Sequence, residues 1–133
     1  MSPEEARRLL ETARVAQLGT VRPDGSPHLV PVTFALEADL IFSAVDAKPK
    51  RTKALARLYN IIYEPRVSLI ANNWDEDWDR LWWVRADGIA RIQDSDEHAI
   101  ALLMQRYAQY REPALLAPVI IIEVTRWSGW KAR

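Results

Sequence analysis

The chain has 133 residues, a formal net charge of zero and no cysteine. One domain spanning residues 1–133 is therefore expected, and disulfides and thiolate metal sites are excluded. Neutrality argues against a nucleic-acid-binding protein, because such proteins usually carry a basic surplus. The longest apolar run, 117–122, is too short to cross a bilayer, and the first ten residues lack the apolar core of a signal peptide, so we expect a cytoplasmic protein outside the membrane.

The first third of the chain predicts one short helix and three strands. Residues 2–13 contain a capping serine, then a proline, then a glutamate three positions after the cap, which is a typical helix start. Strands are predicted at 15–21 and 28–34, joined by the turn residues 23–25, with a third strand at 40–44. These three strands are expected to form a β-meander.

The middle of the chain predicts a helix at 52–62, which ends before a proline, and a strand at 67–71. A polar, acidic loop follows at 72–79. Residues 81–92 predict either one long strand or a strand with a bulge at Gly88.

The last third predicts a helix at 94–110, a loop framed by Pro113 and Pro118, and a final strand at 119–127. The six predicted strands and the short helices indicate a mainly β (α+β) fold. We expect a six-stranded antiparallel barrel with peripheral helices, because closing the sheet removes its open edges.

A basic segment, AKPKRTKALARL at 47–58, contains three of the four lysines of the chain. Lys50, Arg51, Thr52 and Lys53 surround the predicted helix start, where free backbone N–H groups and the positive dipole end favour an anion. Arginine also forks onto phosphate oxygens. The segment therefore predicts either a phosphate cradle or a solvated basic turn.

Six tryptophans are unevenly distributed, with four of them at 74–83. Trp82 and Trp83 are adjacent in a strand and so point to opposite faces. We expect one of them in the core and the other in an interface, because aromatic side chains often anchor interfaces. Trp74 and Trp78 lie in the acidic loop, as a gate over a ligand or a stacking surface for a substrate.

The order of these motifs resembles the pyridoxamine-phosphate-oxidase-like family. The resemblance covers about residues 5–131 and rests on LGTVRPDGSPHLVPVTF, KPKRTKAL, EPRVSLI and WWVRADGIARI in that order. Within this family the chain is most similar to a small branch of enzymes that use coenzyme F-420, a phosphorylated 5-deazaflavin. The closing RWSGW also fits that branch.

The resemblance implies an FMN-binding type of split barrel. It also implies a homodimer with two cofactor sites at the subunit interface, to which the partner adds aromatic and basic groups. The phosphate would rest on the basic segment and the ring along the second and third strands, while Trp127 matches the family's late Trp-x-Gly. Ten residues are thus predicted to bind the cofactor: Lys50, Arg51, Thr52, Lys53, Pro31, Val32, Thr33, Ser43, Ala44 and Trp127.

Two residues of the second predicted strand have alternative interpretations. His28 is either a general acid or cofactor hydrogen-bonding group near the substrate, or a structural histidine, which is the commoner role. Pro31 removes a ladder hydrogen bond in mid-strand, which is tolerated where the strand edge faces something other than a strand. A flavin ring against the backbone is one such partner.

The activity implied is hydride transfer from reduced F-420 to a small unsaturated organic substrate. FMN in the same fold, or a non-catalytic cofactor carrier, are the alternatives. The chain ends Lys131-Ala132-Arg133, without the family's arginine–histidine–aspartate–arginine end, which argues against oxidation of pyridoxamine phosphate itself. The sequence suggests no catalytic residue and no metal site, so the chemistry is assigned to the cofactor.

Overall fold

The computed structural model describes residues 1–46 and 51–133, apart from the side chains of residues 46, 51–55 and 115. The helices are α1 (Pro3–Thr12), α2 (Arg51–Tyr63) and α3 (Glu97–Arg106). The strands are β1 (Ala16–Val21), β2 (Pro27–Val32), β3 (Ala35–Glu37), β4 (Leu40–Asp46), β5 (Arg66–Asn73), β6 (Trp82–Gln93) and β7 (Leu116–Lys131). Short 3-10 turns occupy Trp78–Arg80 and Pro113–Leu115.

The ends of the helices follow local chemistry. The Ser2 hydroxyl accepts a hydrogen bond from the Glu5 N–H at 3.1 Å, so α1 begins as predicted. The Asp96 carboxylate caps α3 in the same way through the Ala99 N–H at 3.0 Å. α3 ends at Arg106, four residues before the predicted end, because the backbone becomes extended at Tyr107.

The seven strands form one antiparallel sheet in the order β2-β1-β5-β6-β7-β4-β3. The predicted meander is wrong, because β2 pairs with β1 whereas β4 pairs with β3 and β7. The predicted strand 28–34 ends at Val32 as β2, and a short strand that was not predicted, β3, follows at Ala35–Glu37, which raises the strand count from six to seven. β7 also begins earlier than predicted, so Pro118 lies inside that strand.

Thr33 and Phe34 separate β2 from β3, and the backbone of Phe34 bonds the side chain of Tyr107 there. The Tyr107 hydroxyl accepts a hydrogen bond from the Phe34 N–H at 3.1 Å and lies 3.0 Å from the Phe34 carbonyl. These backbone groups therefore bond a tyrosine in place of a neighbouring strand.

β2 and β3 are the two ends of the sheet, yet only two residues separate them in the chain. The sheet must therefore curve until its ends meet, which gives the expected split barrel. Leu18, Phe34, Leu69, Val84 and Ile122 are among the side chains that fill the interior. Alternate residues of β7 face the other way and pack with α3 in a second cluster, as the twofold period of a strand requires.

The β6–β7 ladder is irregular at Gly88, where a bulge was predicted, but the extra residue is on β7: Asp87 pairs with Arg126 and Gly88 with Val124, which leaves Thr125 without a partner in the ladder. A Cβ atom at Gly88 would lie 2.4 Å from the Glu123 carbonyl oxygen, so only glycine fits there. Among the described residues, no helix has both the length and the apolar character needed to cross a membrane.

Candidate functional site

The sheet leaves a gap between two strands at its ends. Within the described residues, β2 pairs with β1 alone, and β4 beyond Phe42 pairs with β7 alone. We call the space between these two unpaired edges, Pro27–Val32 and Ser43–Asp46, the barrel gap. The Ser43 hydroxyl donates a hydrogen bond to the Thr33 carbonyl at 2.8 Å and closes its narrow end.

Helix α2 begins shortly after β4 and packs against β1, β4 and β6. It starts at Arg51, one residue before the predicted start, so positions 51–53 form its first turn. The backbone N–H groups of a first helical turn have no partner within the helix, which makes this a favourable place for an anion. Of the predicted phosphate-binding residues, Lys50 lies outside the described residues, and the other three are described by backbone only.

A buried polar layer lies where α2 meets the barrel. The Asn60 side-chain amide donates to the Thr20 hydroxyl at 3.0 Å, and both residues are almost fully buried. Thr20 is paired with His28 across the β1–β2 ladder. Arg57 precedes Asn60 by about one helical turn. Polar side chains therefore form part of the contact between α2 and the barrel, beside the apolar Leu58 and Ile61.

Two atoms in this layer have no hydrogen-bond partner among the described residues: the Nδ1 of His28 and the Nε of Arg57, both buried. Burial lowers the pKa of the His28 imidazole, and the positive charges of Arg22 and Arg57 lower it further. Burial also lowers the pKa of the Arg57 guanidinium, an effect that Tyr110 partly offsets. Buried polar atoms in folded proteins are normally hydrogen-bonded, so unpartnered ones indicate a missing partner.

Two tyrosines after α3 hold the narrow end of the gap. The Thr33 hydroxyl is hydrogen-bonded to the Tyr110 hydroxyl. The buried Tyr107 hydroxyl accepts from the Phe34 N–H and donates to the carbonyl of Phe34 or of Arg14, each 3.0 Å away. We did not predict either role, because nothing in the local sequence relates these tyrosines to a strand more than 70 residues earlier.

The residues predicted to meet the cofactor ring lie on the two edges of the gap. Val32 and Ser43 point into the barrel core, and Ala44 packs with α3, so all three side chains are buried. A ring at this place would therefore meet their backbone, while Pro31 is exposed and Thr33 half-buried. The unpaired edge at Pro31 agrees with the predicted tolerance of proline there.

Trp127 lies elsewhere in the same protomer. Its indole N–H donates to the Asp39 carboxylate at 2.9 Å, and Arg7 binds the same oxygen at 2.7 Å. The Trp127 hydrogen bond, followed by Arg7, lowers the pKa of Asp39. Trp127 is seven residues along β7 from the partner of Ser43, Ile120, which is roughly 23 Å at the usual rise of a strand. Trp127 therefore lies away from the Ser43 edge of the barrel gap in the same protomer.

The remaining tryptophans lie in β6, in β7 and in the segment between β5 and β6. Trp74 and Trp78 are exposed and pack edge to face, with ring centroids 6.3 Å apart. Trp74 lies just after the end of β5, whereas α2 lies just before the start of that strand, so the two are at opposite ends of β5. As predicted, Trp82 and Trp83 point to opposite faces: Trp82 packs on the barrel core, and Trp83 lies opposite Trp130 on the outside.

A protein-family model described as pyridoxamine 5'-phosphate oxidase matches residues 2–131. Among solved structures, a conserved hypothetical protein from Mycobacterium tuberculosis is 24% identical, with a TM-score of 0.80 over 100% of this chain and 86% of that chain. An F420 reductase is 25% identical, with a TM-score of 0.71 over 96% and 98% of the two chains. A FAD-binding protein from Mesorhizobium loti is 19% identical, with a TM-score of 0.72 over 97% and 94%. No curated protein matches the sequence significantly. Because the family model spans nearly the whole chain, the protein belongs to the pyridoxamine 5'-phosphate oxidase family.

Proposed function

We propose that the protein is a cytoplasmic oxidoreductase that binds coenzyme F-420 in the barrel gap and reduces a small unsaturated organic substrate. The observation that carries this proposal is the convergence of three features. Among the described residues, α2 packs against β4, which forms one edge of the gap, two strand edges there are unpaired, and two buried polar atoms have no hydrogen-bond partner. A flat, polar ring with a phosphate tail supplies a partner for each feature. The F420 reductase among similar structures supports the choice of cofactor.

Each part of the site has its own role in holding the cofactor. The N–H groups of the first turn of α2, with Lys50, Arg51, Thr52 and Lys53, hold the phosphate. The backbone edges at Pro31–Thr33 and Ser43–Ala44 hold the ring, and the tyrosines after α3 keep the edges in position. When bound, the cofactor supplies the hydride, so the protein's part is to orient the ring and exclude water.

We further propose a homodimer that forms through the outer face of the sheet. We define this face by the outward side chains of β1, β2, β5 and β6, which include the exposed Leu29, Ile70 and Ile89. Ile89 lines a groove of about 430 Å³ on this face. Exposed apolar patches of this kind mark interaction sites. Arg85 and Asp87 on the same face offer opposite charges to a two-fold-related copy. In such a dimer, the partner subunit could contribute Trp127, Trp74 or Trp78 to the gap.

FMN is the second candidate cofactor. The FAD-binding protein among similar structures shares the fold and favours a flavin in the same gap. A protein that binds either cofactor but never transfers a hydride would be a carrier.

The visible spectrum of the purified protein and fluorescence titrations with F-420 and FMN test these possibilities. The double variant Arg51→Ala/Lys53→Ala should bind the favoured cofactor more than tenfold more weakly, which is about 1.4 kcal/mol or greater. Arg111→Ala is the matched control, because it removes an exposed positive charge outside the site.

An unchanged affinity of the double variant would contradict the phosphate cradle. Micromolar binding of neither cofactor would contradict the function as a whole. Oxidation of reduced F-420 in the presence of enone acceptors separates the enzyme from a carrier.

A further inference from the structure

We propose that Arg57 is a cofactor-binding residue that contacts the polar pyrimidine edge of the ring and not the phosphate. This inference rests on the proposed function, and it concerns a residue that the sequence does not assign to the phosphate cradle.

The Nε of the Arg57 side chain is fully buried. Arg57 itself is half-buried on α2, next to Leu58 of the barrel core. No acceptor among the described residues takes the Nε hydrogen, and no described carboxylate lies within ion-pair distance of the side chain. Arginine keeps its charge even when buried, so an unpaired donor here is costly unless a ligand supplies the acceptor.

Arg57 lies further along α2 than the residues of the predicted phosphate cradle. Arg57 comes six residues after Arg51, which is about 9 Å along the helix axis. A phosphate held by the first turn therefore lies well away from the backbone of Arg57. The ribityl chain of a flavin or deazaflavin separates its phosphate from its ring by a comparable length.

Arg57 is coupled by charge to groups beside the gap. Its charge lowers the pKa of His28 on β2, and Tyr110, which is hydrogen-bonded to Thr33, raises the pKa of Arg57. Both neighbours lie beside the gap, and neither lies at the start of α2.

The chemistry of the ring makes a cation useful there. Reduced flavins and deazaflavins lose a proton from the pyrimidine part, and the negative charge spreads over N1 and the adjacent carbonyl. A guanidinium within a few ångströms stabilises that anion. Arg57 should therefore strengthen binding of the ring itself, most of all in its reduced, anionic form.

The test compares ligands with and without a phosphate. FMN and riboflavin, and F-420 and its phosphate-free deazaflavin, are titrated against the wild-type protein, Arg57→Gln, Arg57→Lys and the double variant Arg51→Ala/Lys53→Ala. Arg57→Gln should weaken binding of both members of each pair by the same factor, about tenfold or more, whereas the double variant should weaken only the phosphorylated member. Arg57→Lys should recover part of the loss because it restores the charge.

A second measurement is independent of affinity and activity. The absorbance of the bound reduced flavin is followed as a function of pH, and the pKa of its ring proton should rise by about one to three units in Arg57→Gln. Thermal unfolding of each variant checks that the fold is retained, and Arg57→Lys is examined if Arg57→Gln does not fold.

Three outcomes would overturn the inference. The first is that Arg57→Gln leaves all four affinities unchanged. The second is that Arg57→Gln weakens binding of the phosphorylated ligands alone, which would assign Arg57 to the phosphate. If the wild-type protein binds none of the four compounds, the proposed function itself fails and the inference fails with it.

Discussion

Replacing Tyr107 with phenylalanine removes one buried oxygen from the corner that ends the barrel gap. The ring of Tyr107 is buried and would stay in place, so no large cavity forms. What is lost is the acceptor for the Phe34 N–H and the donor to the carbonyl of Phe34 or of Arg14. Phe34 is fully buried, so water cannot replace the hydroxyl.

Leaving one buried N–H without a partner costs about 1–3 kcal/mol, and this is the expected loss in the free energy of unfolding. For a chain of this length each kcal/mol lowers the melting temperature by roughly 3–5 °C. Urea unfolding followed by tryptophan fluorescence measures the free energy, and calorimetry measures the melting temperature.

Tyr59→Phe is the matched control, because Tyr59 is 69% exposed and its hydroxyl remains in water. That variant should stay within about 0.5 kcal/mol of the wild-type protein. Equal stability of the two variants would refute the reasoning, since it would mean that the Tyr107 hydroxyl does not satisfy the Phe34 backbone.

Two further predictions concern an ion pair and the proposed dimer. The forked contact with Arg66 lowers the pKa of Glu64 to about 2, so its contribution to stability is complete above the unfolded value of 4.5 and disappears as the pH falls towards 2. Urea midpoints should therefore converge for wild-type and Glu64→Gln proteins between pH 4.5 and 2, and a constant difference would contradict this. Leu29→Asp should weaken the dimer in analytical ultracentrifugation, whereas Ile62→Asp, which changes an exposed residue on α2, should not. Equal effects of the two substitutions would contradict the assigned interface.

Local signals in the sequence correctly predicted the elements whose causes are local. Ser2 caps α1 and Asp96 caps α3 because a short polar side chain can reach the N–H groups two or three residues later. The irregularity of the β6–β7 ladder at Gly88 was also predictable, since a glycine within a strand often marks one, although the extra residue is on β7. The order of motifs was sufficient to identify the family, which the match over residues 2–131 confirms.

Features that depend on distant contacts could not be read in this way. The run 28–34 has the composition of one strand, but β2 ends at Val32, and Tyr107 bonds the backbone groups of Phe34 before β3 begins. β3 then joins the far end of the sheet, so the predicted meander does not form. Ile62 fits the apolar spacing of α2 but is 73% exposed, while Asn60 is buried against Thr20.

The sequence by itself determined the helix starts, six of the seven strand segments and the family, because caps, turns and alternation act over a few residues. It also directed attention to the start of α2 as a place for a phosphate. Only the tertiary structure decided which strands pair, where the gap opens and that buried atoms of Arg57 and His28 have no hydrogen-bond partner among the described residues. Burial and pairing depend on residues brought together from across the chain, so they exist only once the barrel has formed.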